Sequence, residues 1–368
     1  MSERNTDILP GKRQAFSLKA LASRQLFLPI FALCLMLAFN IIITPSFFRV
    51  SIQNGVLYGY TIDIINRASE LVILAVGMTL VVAASRGTDI SVGAVCAVSA
   101  AICVRLLGSS YDHYETPVWA AIVIALIAGL LCGAFNGFLV ANLRIQPMVA
   151  TLILFTAGRG IAQLISAREI NGVMVPGQIL YVRMESFKYL GGFIPGIVVP
   201  TPVFIAAFFV AITVLLLRKT ALGLYIQTVG INPKAGRLVG INSTLIIFAT
   251  YVFCGFSSGL AGLIGASRIY SSDANNIGLN MELDAILAVA LGGNSLGGGK
   301  FNIAGSVIGA ITIQALTTSL YAMGVSADQL PVYKAIVVIL IVAIQSDEFK
   351  RWRAAAKLRR EALKGAAK

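Results

Sequence analysis

Charge is what this chain has least of. Charged residues make up only 12% of its 368 positions, and the acids, 16 in all, are outnumbered by 29 lysines and arginines. There is one histidine, His113, in the polar connection YDHYETP, where it reads as a solvated loop residue. A single histidine leaves no imidazole pair for a metal and no histidine-based relay for catalysis. The five cysteines, Cys34, Cys96, Cys103, Cys132 and Cys254, fall inside apolar runs without CxxC spacing, so neither a disulfide framework nor a redox pair is indicated and they read as packing residues. No carboxylate pair in an enclosed domain and no nucleophile elbow is found. The chain is expected to be no enzyme, with no cofactor and no metal.

What remains is apolar. Hydrophobic residues are 57% of the chain and the mean hydropathy is +0.85. A soluble domain of this length does not have that composition. The chain is expected to be an all-α polytopic membrane protein. Apolar runs long enough to cross a bilayer are expected near 26–43, 64–84, 91–108, 118–140, 148–166, 200–217, 243–266, 284–300, 303–322 and 332–345, about ten spans including interrupted helices. The first run lacks a small-residue cleavage site and is expected to be a retained span.

The net charge of +13 invites a polyanion partner, but 17 of the 29 cations cluster in residues 1–24, 218–241 and 346–368. Clusters at the ends and in one loop orient a membrane protein by the positive-inside rule, and no nucleic acid is implied. With ten spans, every strongly basic segment lands in the cytoplasm. The expected domains are a cytoplasmic tail (1–25), a transmembrane region (26–345) containing a cytoplasmic loop (218–241), and a basic cytoplasmic tail (346–368).

Glycine is abundant and placed with regularity. Gly129, Gly133 and Gly137 recur every four residues, as do Gly255 with Gly259 and Gly305 with Gly309. Such stripes let helix backbones approach closely, and packing within one chain is the expected use. The segments 62–97 and 283–311 also echo each other, each placing ILAV before a polar, glycine-rich break and a small-residue helix. Paired interrupted helices are a transporter habit.

The polar breaks carry the chemistry, because non-helical backbone at membrane depth persists only where protein or water satisfies it. In SRGTDISVG, residues 85–93, Asp89 is expected to cap the helix beginning near Ser91, with Arg86 as counter-charge; the span count puts this break near the cytoplasmic end, whereas a re-entrant loop would put it deeper. GGNSLGGGKFN, 292–302, resembles a phosphate loop until its register is checked: Asn294 stands where the first glycine belongs and Phe301 where the hydroxyl belongs. Polar residues within or beside spans, Asn66, Asn136, Thr156, Gln163, Asn275 and Asn276, suit a neutral polyhydroxylated solute, since amides and hydroxyls both donate and accept. Asp89, Glu282 and Asp284 are the acids on which an ion-coupled secondary sugar transporter, the alternative reading, would depend.

From about Thr61 to Ser346 these motifs resemble the permease subunits of bacterial ribose-type ATP-binding-cassette sugar importers. The resemblance rests on the signature loop, with Gly87, Asp89, Ser91 and Gly93, and on the basic loop TVGINPKAGRLVGI, with Gly230, Asn232, Pro233, Lys234, Ala235, Arg237 and Gly240. IDIINRASELVILAVGMTL, RIQPMVATLILFTAGRGIAQLIS, RKTALG and DANNIGLNMELDAILAV make it most similar to the galactofuranose permease branch. Arg86 departs from the small residue usual before the glycine, and Gly236 from the second alanine of the basic loop. The resemblance implies an inner-membrane pore subunit with both termini cytoplasmic, importing a monosaccharide. It also implies its partners: two ATPase subunits or one fused ATPase, a periplasmic sugar-binding protein, a second permease chain, identical or related, and the surrounding lipid. A coupling helix from about Asn232 to Gly240 would dock the ATPase through Lys234 and Arg237.

Overall fold

A computed structural model describes residues 26–44, 46–53, 55–108, 116–182 and 184–345; both tails and the segment holding His113 lie outside the described residues. Within them the chain forms α1 (Phe27–Ile43), a hairpin of β1 (Ser51–Gln53) and β2 (Val56–Tyr58), α2 (Tyr60–Ser85), α3 (Val92–Leu107), α4 (Val118–Gly137, closed by a π-turn over Phe138–Asn142) and α5 (Pro147–Ile165). There follow β3 (Arg168–Ile170) and β4 (Val173–Val175), β5 (Leu180–Tyr181), α6 (Glu185–Gly191), α7 (Thr201–Lys219), α8 (Leu222–Ile231), α9 (Pro233–Leu238) and α10 (Ser243–Ile269). The chain closes with β6 (Ser271–Ser272), α11 (Met281–Leu291), α12 (Ile303–Ala322) and α13 (Leu330–Gln345). The strands β1–β2 and β3–β4 pair as local hairpins, while β5 pairs with β6 across the chain.

Nine of the ten apolar runs are helical through most of their length, as expected of a polytopic membrane protein. Among the described residues six helices are long and apolar enough to cross a bilayer alone: α2, α4 with its π-turn, α5, α7, α10 and α12. One expectation needs correcting. The run 284–300 is not one spanning helix, because its helix, α11, stops at Leu291 after 11 residues, a rise of roughly 16 Å against a hydrocarbon core of about 30 Å; the non-helical residues 271–280 complete the crossing. Gly293, Gly298 and Gly299 take positive φ beyond it, and the chain turns back instead of continuing.

The helices sort by what they are made of. In α2 every residue from Ala68 to Ala84 is buried, so this helix, apolar on all sides, is the axis of the bundle. By contrast 22% of the apolar stretch of α4 or α7 is buried; residues such as Trp119, Leu131 and Phe208 point outward, as a lipid-facing surface requires. The glycine stripes pack helices of one chain together. A Cβ on Gly133 would sit 2.4 Å from the Tyr251 carbonyl and one on Gly309 2.1 Å from that of Ala288, so α4 meets α10, and α12 meets α11, backbone to backbone.

The two echoing breaks are neighbours in space. Residues 86–91 separate α2 from α3, and residues 292–302 separate α11 from α12. The Gly299 N–H donates to the Ala83 carbonyl at 2.9 Å. Asn294 knits the second break: its amide donates to Ser306 Oγ at 2.9 Å and its Oδ1 accepts from the Asn302 N–H at 2.6 Å. Both ILAV helices therefore end at the same pole of the bundle, the pole that carries α9.

Candidate functional site

At the α9 pole, Asn232 interrupts a helical run and caps the next. Its Oδ1 accepts from the N–H groups of Lys234 and Ala235 at 3.0 and 3.2 Å, Pro233 occupies the first helical position, where no donor is missed, and Gly240 takes φ +82° just past the end. The result is a helix of six residues, Pro233–Leu238, within the expected 232–240. The Ser243 hydroxyl donates to the Pro233 carbonyl at 2.9 Å and ties it to α10. Lys234 and Arg237 are exposed. So are Leu238 and Val239, at 89% and 72%; an apolar tip flanked by cations was not read from the sequence, although a Leu-Val pair ending a basic helix was the available signal.

Behind α9 the chain is clamped. Gly230 packs so tightly on α2 that a Cβ there would lie 1.8 Å from the Ala83 carbonyl. Arg86, in the left-handed region at φ 58°, donates from Nε to the Gly230 carbonyl at 2.6 Å and from Nη2 to the Ile231 carbonyl. These are terminal carbonyls of α8 that the helix itself leaves without donors. Arg86 is therefore not the counter-charge of Asp89: its backbone turn sends the guanidinium toward α8 and away from the signature loop.

The signature loop enters the bundle. Gly87 lies against Pro147, where a Cβ would come within 2.4 Å of that ring. The Ile90 N–H donates to Thr151 Oγ1 at 3.2 Å, and the Asp89 N–H meets Met78 Sδ at 3.4 Å. Met78 stands seven residues before the end of α2, so Asp89 lies roughly 10 Å inward of that end, deeper than the span count implied. Asp89 Oδ1 accepts from the Ser91 N–H at 2.9 Å and the Ser91 hydroxyl at 2.6 Å, an Asx turn that starts α3 without reaching its later N–H groups. Asn136, fully buried, donates to Ser91 Oγ at 2.8 Å and is spent on this loop.

From the opposite pole, residues 271–280 run inward without helix until α11 begins. The two half-helices meet: a Cβ on Gly93 would fall 2.2 Å from both the Gly278 carbonyl and Glu282 Oε2, and one on Gly278 2.5 Å from the Gly93 carbonyl. Arg159 of α5 secures the descending segment through the carbonyls of Ala274 at 3.0 Å and Ile277 at 2.5 Å. Two discontinuous helices with their N-terminal ends at mid-depth give the arrangement that lines a solute path in many transporters.

The polar residues expected along a path separate into groups. Gln163 donates to Asn275 Oδ1 at 2.8 Å near the pole opposite α9, and Asn276 donates to Asp273 at 2.6 Å. Thr156 faces outward on α5 and returns its hydroxyl to the Leu152 carbonyl at 3.2 Å. Asn66 accepts from Arg268 at 3.2 Å, and Arg268 in turn pairs with Glu70 at 2.8 Å. That ion pair was missed: an acid ten residues into an apolar helix was visible, but its partner lies far along the chain. Of the other acids, Asp284 is neutralised by Lys334 at 2.7 Å. No group of three or more histidine, cysteine or acidic side chains is placed to hold a metal among the described residues.

Known proteins place this architecture. Residues 60–345 match the family described as branched-chain amino acid transport system, permease component. The galactofuranose transporter permease protein YtfT of Escherichia coli is 44% identical over 319 residues, 86% of this chain and 89% of that one. The fructose import permease protein FruF of Bifidobacterium longum is 39% identical over 86% of this chain and 85% of its own length. For the ribose import permease protein RbsC of Escherichia coli the values are 35%, 86% and 92%. No solved structure matches. With half-helices meeting inside a lipid-facing bundle and relatives aligned along nearly their whole length, the chain belongs to this family of multi-pass membrane permeases, which form transport pores and are not enzymes.

Proposed function

We propose that the chain is the membrane-spanning permease subunit of an ATP-binding-cassette importer that carries a monosaccharide, galactofuranose or a related sugar, across the bacterial inner membrane. The observation that carries this reading is the α9 pole. A short capped helix presents Lys234, Arg237, Leu238 and Val239 outward while its root is fastened to α2 and, through Arg86, to the mouth of the signature loop. An apolar tip ringed by cations suits a hydrophobic groove with an acidic rim on a cytoplasmic ATPase. The relatives' names supply the sugar: permeases for galactofuranose, fructose and ribose.

The α9 pole is cytoplasmic in this reading, which places both termini on the same side and makes 1–25, 26–345 and 346–368 tail, pore and tail. Two ATPase subunits or one fused ATPase drive two permease chains, identical or related, and a periplasmic binding protein delivers sugar to the far pole. Of the signature residues, Gly87 and Gly93 allow close backbone approach while Asp89 and Ser91 start the half-helix. Asn66, Asn275, Asn276 and Gln163 line the outer part of the path.

The test is Arg237→Glu, which replaces a rim cation with an acid. The expected result is loss of ATPase co-purification and of sugar uptake while the chain still inserts in the membrane. Uptake and co-purification at the wild-type level would overturn the reading and favour ion-coupled transport.

A further inference from the structure

The Glu70–Arg268 pair touches the machinery described above only through Asn66, yet it stands at membrane depth between two cavities. Glu70 is ten residues along α2, roughly 15 Å from its start, and Arg268 is near the end of α10. An outer cavity of about 700 Å³ is lined by Asn66, Lys188 and Arg268. A deeper cleft of about 440 Å³ is lined by Arg67, Glu70, Arg268, Asn276 and Tyr321, with Gly278 and Met281 at its floor beside the start of α11. Arg268 belongs to both walls.

Resting on the sugar-import reading, we infer that this deeper cleft is a binding station for a neutral monosaccharide, and that Glu70 and Arg268 together grip its hydroxyl groups. Charged side chains inside a bilayer are costly and face cavities, paths or one another. Here the pair retains unspent capacity. Arg268 Nη1 and Glu70 Oε1 lie 2.8 Å apart as an ion pair and Arg268 Nη2 is spent on Asn66, but Arg268 Nε is buried with no hydrogen-bond partner among the described residues, and the second carboxylate oxygen of Glu70 is not used in the pair. A carboxylate that only accepts, beside a guanidinium that only donates, matches two neighbouring hydroxyls, each able to do both. Asn276 at the rim, which gives one amide hydrogen to Asp273, offers its carbonyl oxygen and its second amide hydrogen. Tyr321, half exposed, offers an aromatic face to the C–H side of a ring. The volume falls within the range of small-molecule sites. Glu70 balances Arg268, and Arg67 is exposed to solvent, so a neutral sugar fits better than a uronate.

The experiment separates the station from the import reading. Saturation-transfer NMR on the purified full chain in nanodiscs, with D-galactose, D-fructose, D-ribose and D-galacturonate as probes, reads binding without any ATPase. Uptake by the complete complex in sealed vesicles reads transport. Thermal midpoints read the fold. The variants are Glu70→Gln, the exchange Glu70→Arg with Arg268→Glu, and Asn276→Leu. The exchange restores opposite charges but reverses donor and acceptor, so the midpoint should recover relative to Glu70→Gln while the neutral-sugar signal stays lost. Asn276→Leu, at an exposed position, should weaken binding about tenfold or more, as expected when a hydrogen-bonding partner of a sugar is replaced by an apolar group. A neutral-sugar signal retained in both the exchange and Asn276→Leu overturns the station, as does its absence in the wild type or a preference for the uronate. If the exchange fails to insert, Asn276→Leu decides alone. Binding with no wild-type uptake sinks the import reading and leaves the station standing.

Discussion

Replacing Arg86 by alanine should uncouple the two ends of the pore without dismantling it. The side chain makes two charge-assisted contacts, from Nε to the Gly230 carbonyl at 2.6 Å and from Nη2 to that of Ile231. Such bonds contribute about 1.5–3 kcal/mol when shielded, but Arg86 is exposed and water competes, so about 1–2 kcal/mol for the pair is the better figure. Stability of the whole bundle should barely register the loss, because the Gly299 N–H still holds the Ala83 carbonyl at 2.9 Å and Gly230 still packs on α2. What changes is the joint where α8 ends and α9 begins. A loss of about 1–2 kcal/mol shifts a two-state equilibrium by roughly 5–30-fold, enough, in the proposed importer, to let α9 move with the ATPase while the signature loop does not follow. In the reconstituted complex Arg86→Ala should keep its ATPase bound and hydrolysing, while sugar imported per ATP falls by about that factor. Arg86→Lys keeps the charge but loses the planar fork, so it should fall between. Wild-type import per ATP in Arg86→Ala would refute the reasoning, because the joint would then not depend on the clamp.

Three further outcomes follow from the geometry. Gly93→Ala places a methyl 2.2 Å from the Gly278 carbonyl, backbone that has no flexible end to yield, so the half-helices must separate; uptake should be abolished and the thermal midpoint should drop, whereas normal uptake would show that the contact is dispensable. Asp284→Ala leaves the Lys334 ammonium, 15% exposed, without its partner and should destabilise by about 1–3 kcal/mol, read as a lower thermal midpoint; the exchange Asp284→Lys with Lys334→Asp should recover most of it. Asn232→Ala removes the acceptor for two α9 N–H groups, a cap worth about 1 kcal/mol, and should weaken ATPase co-purification while leaving the midpoint of the chain nearly unchanged.

The residues that could be read from sequence are those whose role is local. A capped helix after Pro233 follows from Asn232, Pro233 and Gly240 within nine positions, and the glycine stripes announced close packing because their spacing is that of one helical face. Nine of the ten apolar runs were legible for the same reason. The run 284–300 failed because hydropathy does not distinguish a helix that crosses from one that starts at mid-depth: alanine, valine and leucine continue up to Gly292, and only the positive φ of Gly293, Gly298 and Gly299 shows where the chain turns. Arg86 was assigned to the nearest acid in sequence, yet the backbone's left-handed turn carries it to carbonyls contributed by α8. Glu70 and Arg268 escaped notice for a stronger version of that reason, since each is a single charge in an apolar context and only the bundle brings them within 2.8 Å. The division has a functional consequence. The pole proposed to dock the ATPase is encoded in one short segment and tolerates being read alone, whereas the proposed path is assembled from α2, α3, α10 and α11 together. Substitutions that redirect such a permease from one sugar to another should accordingly be scattered along the chain and clustered only in space, around the Glu70–Arg268 cleft.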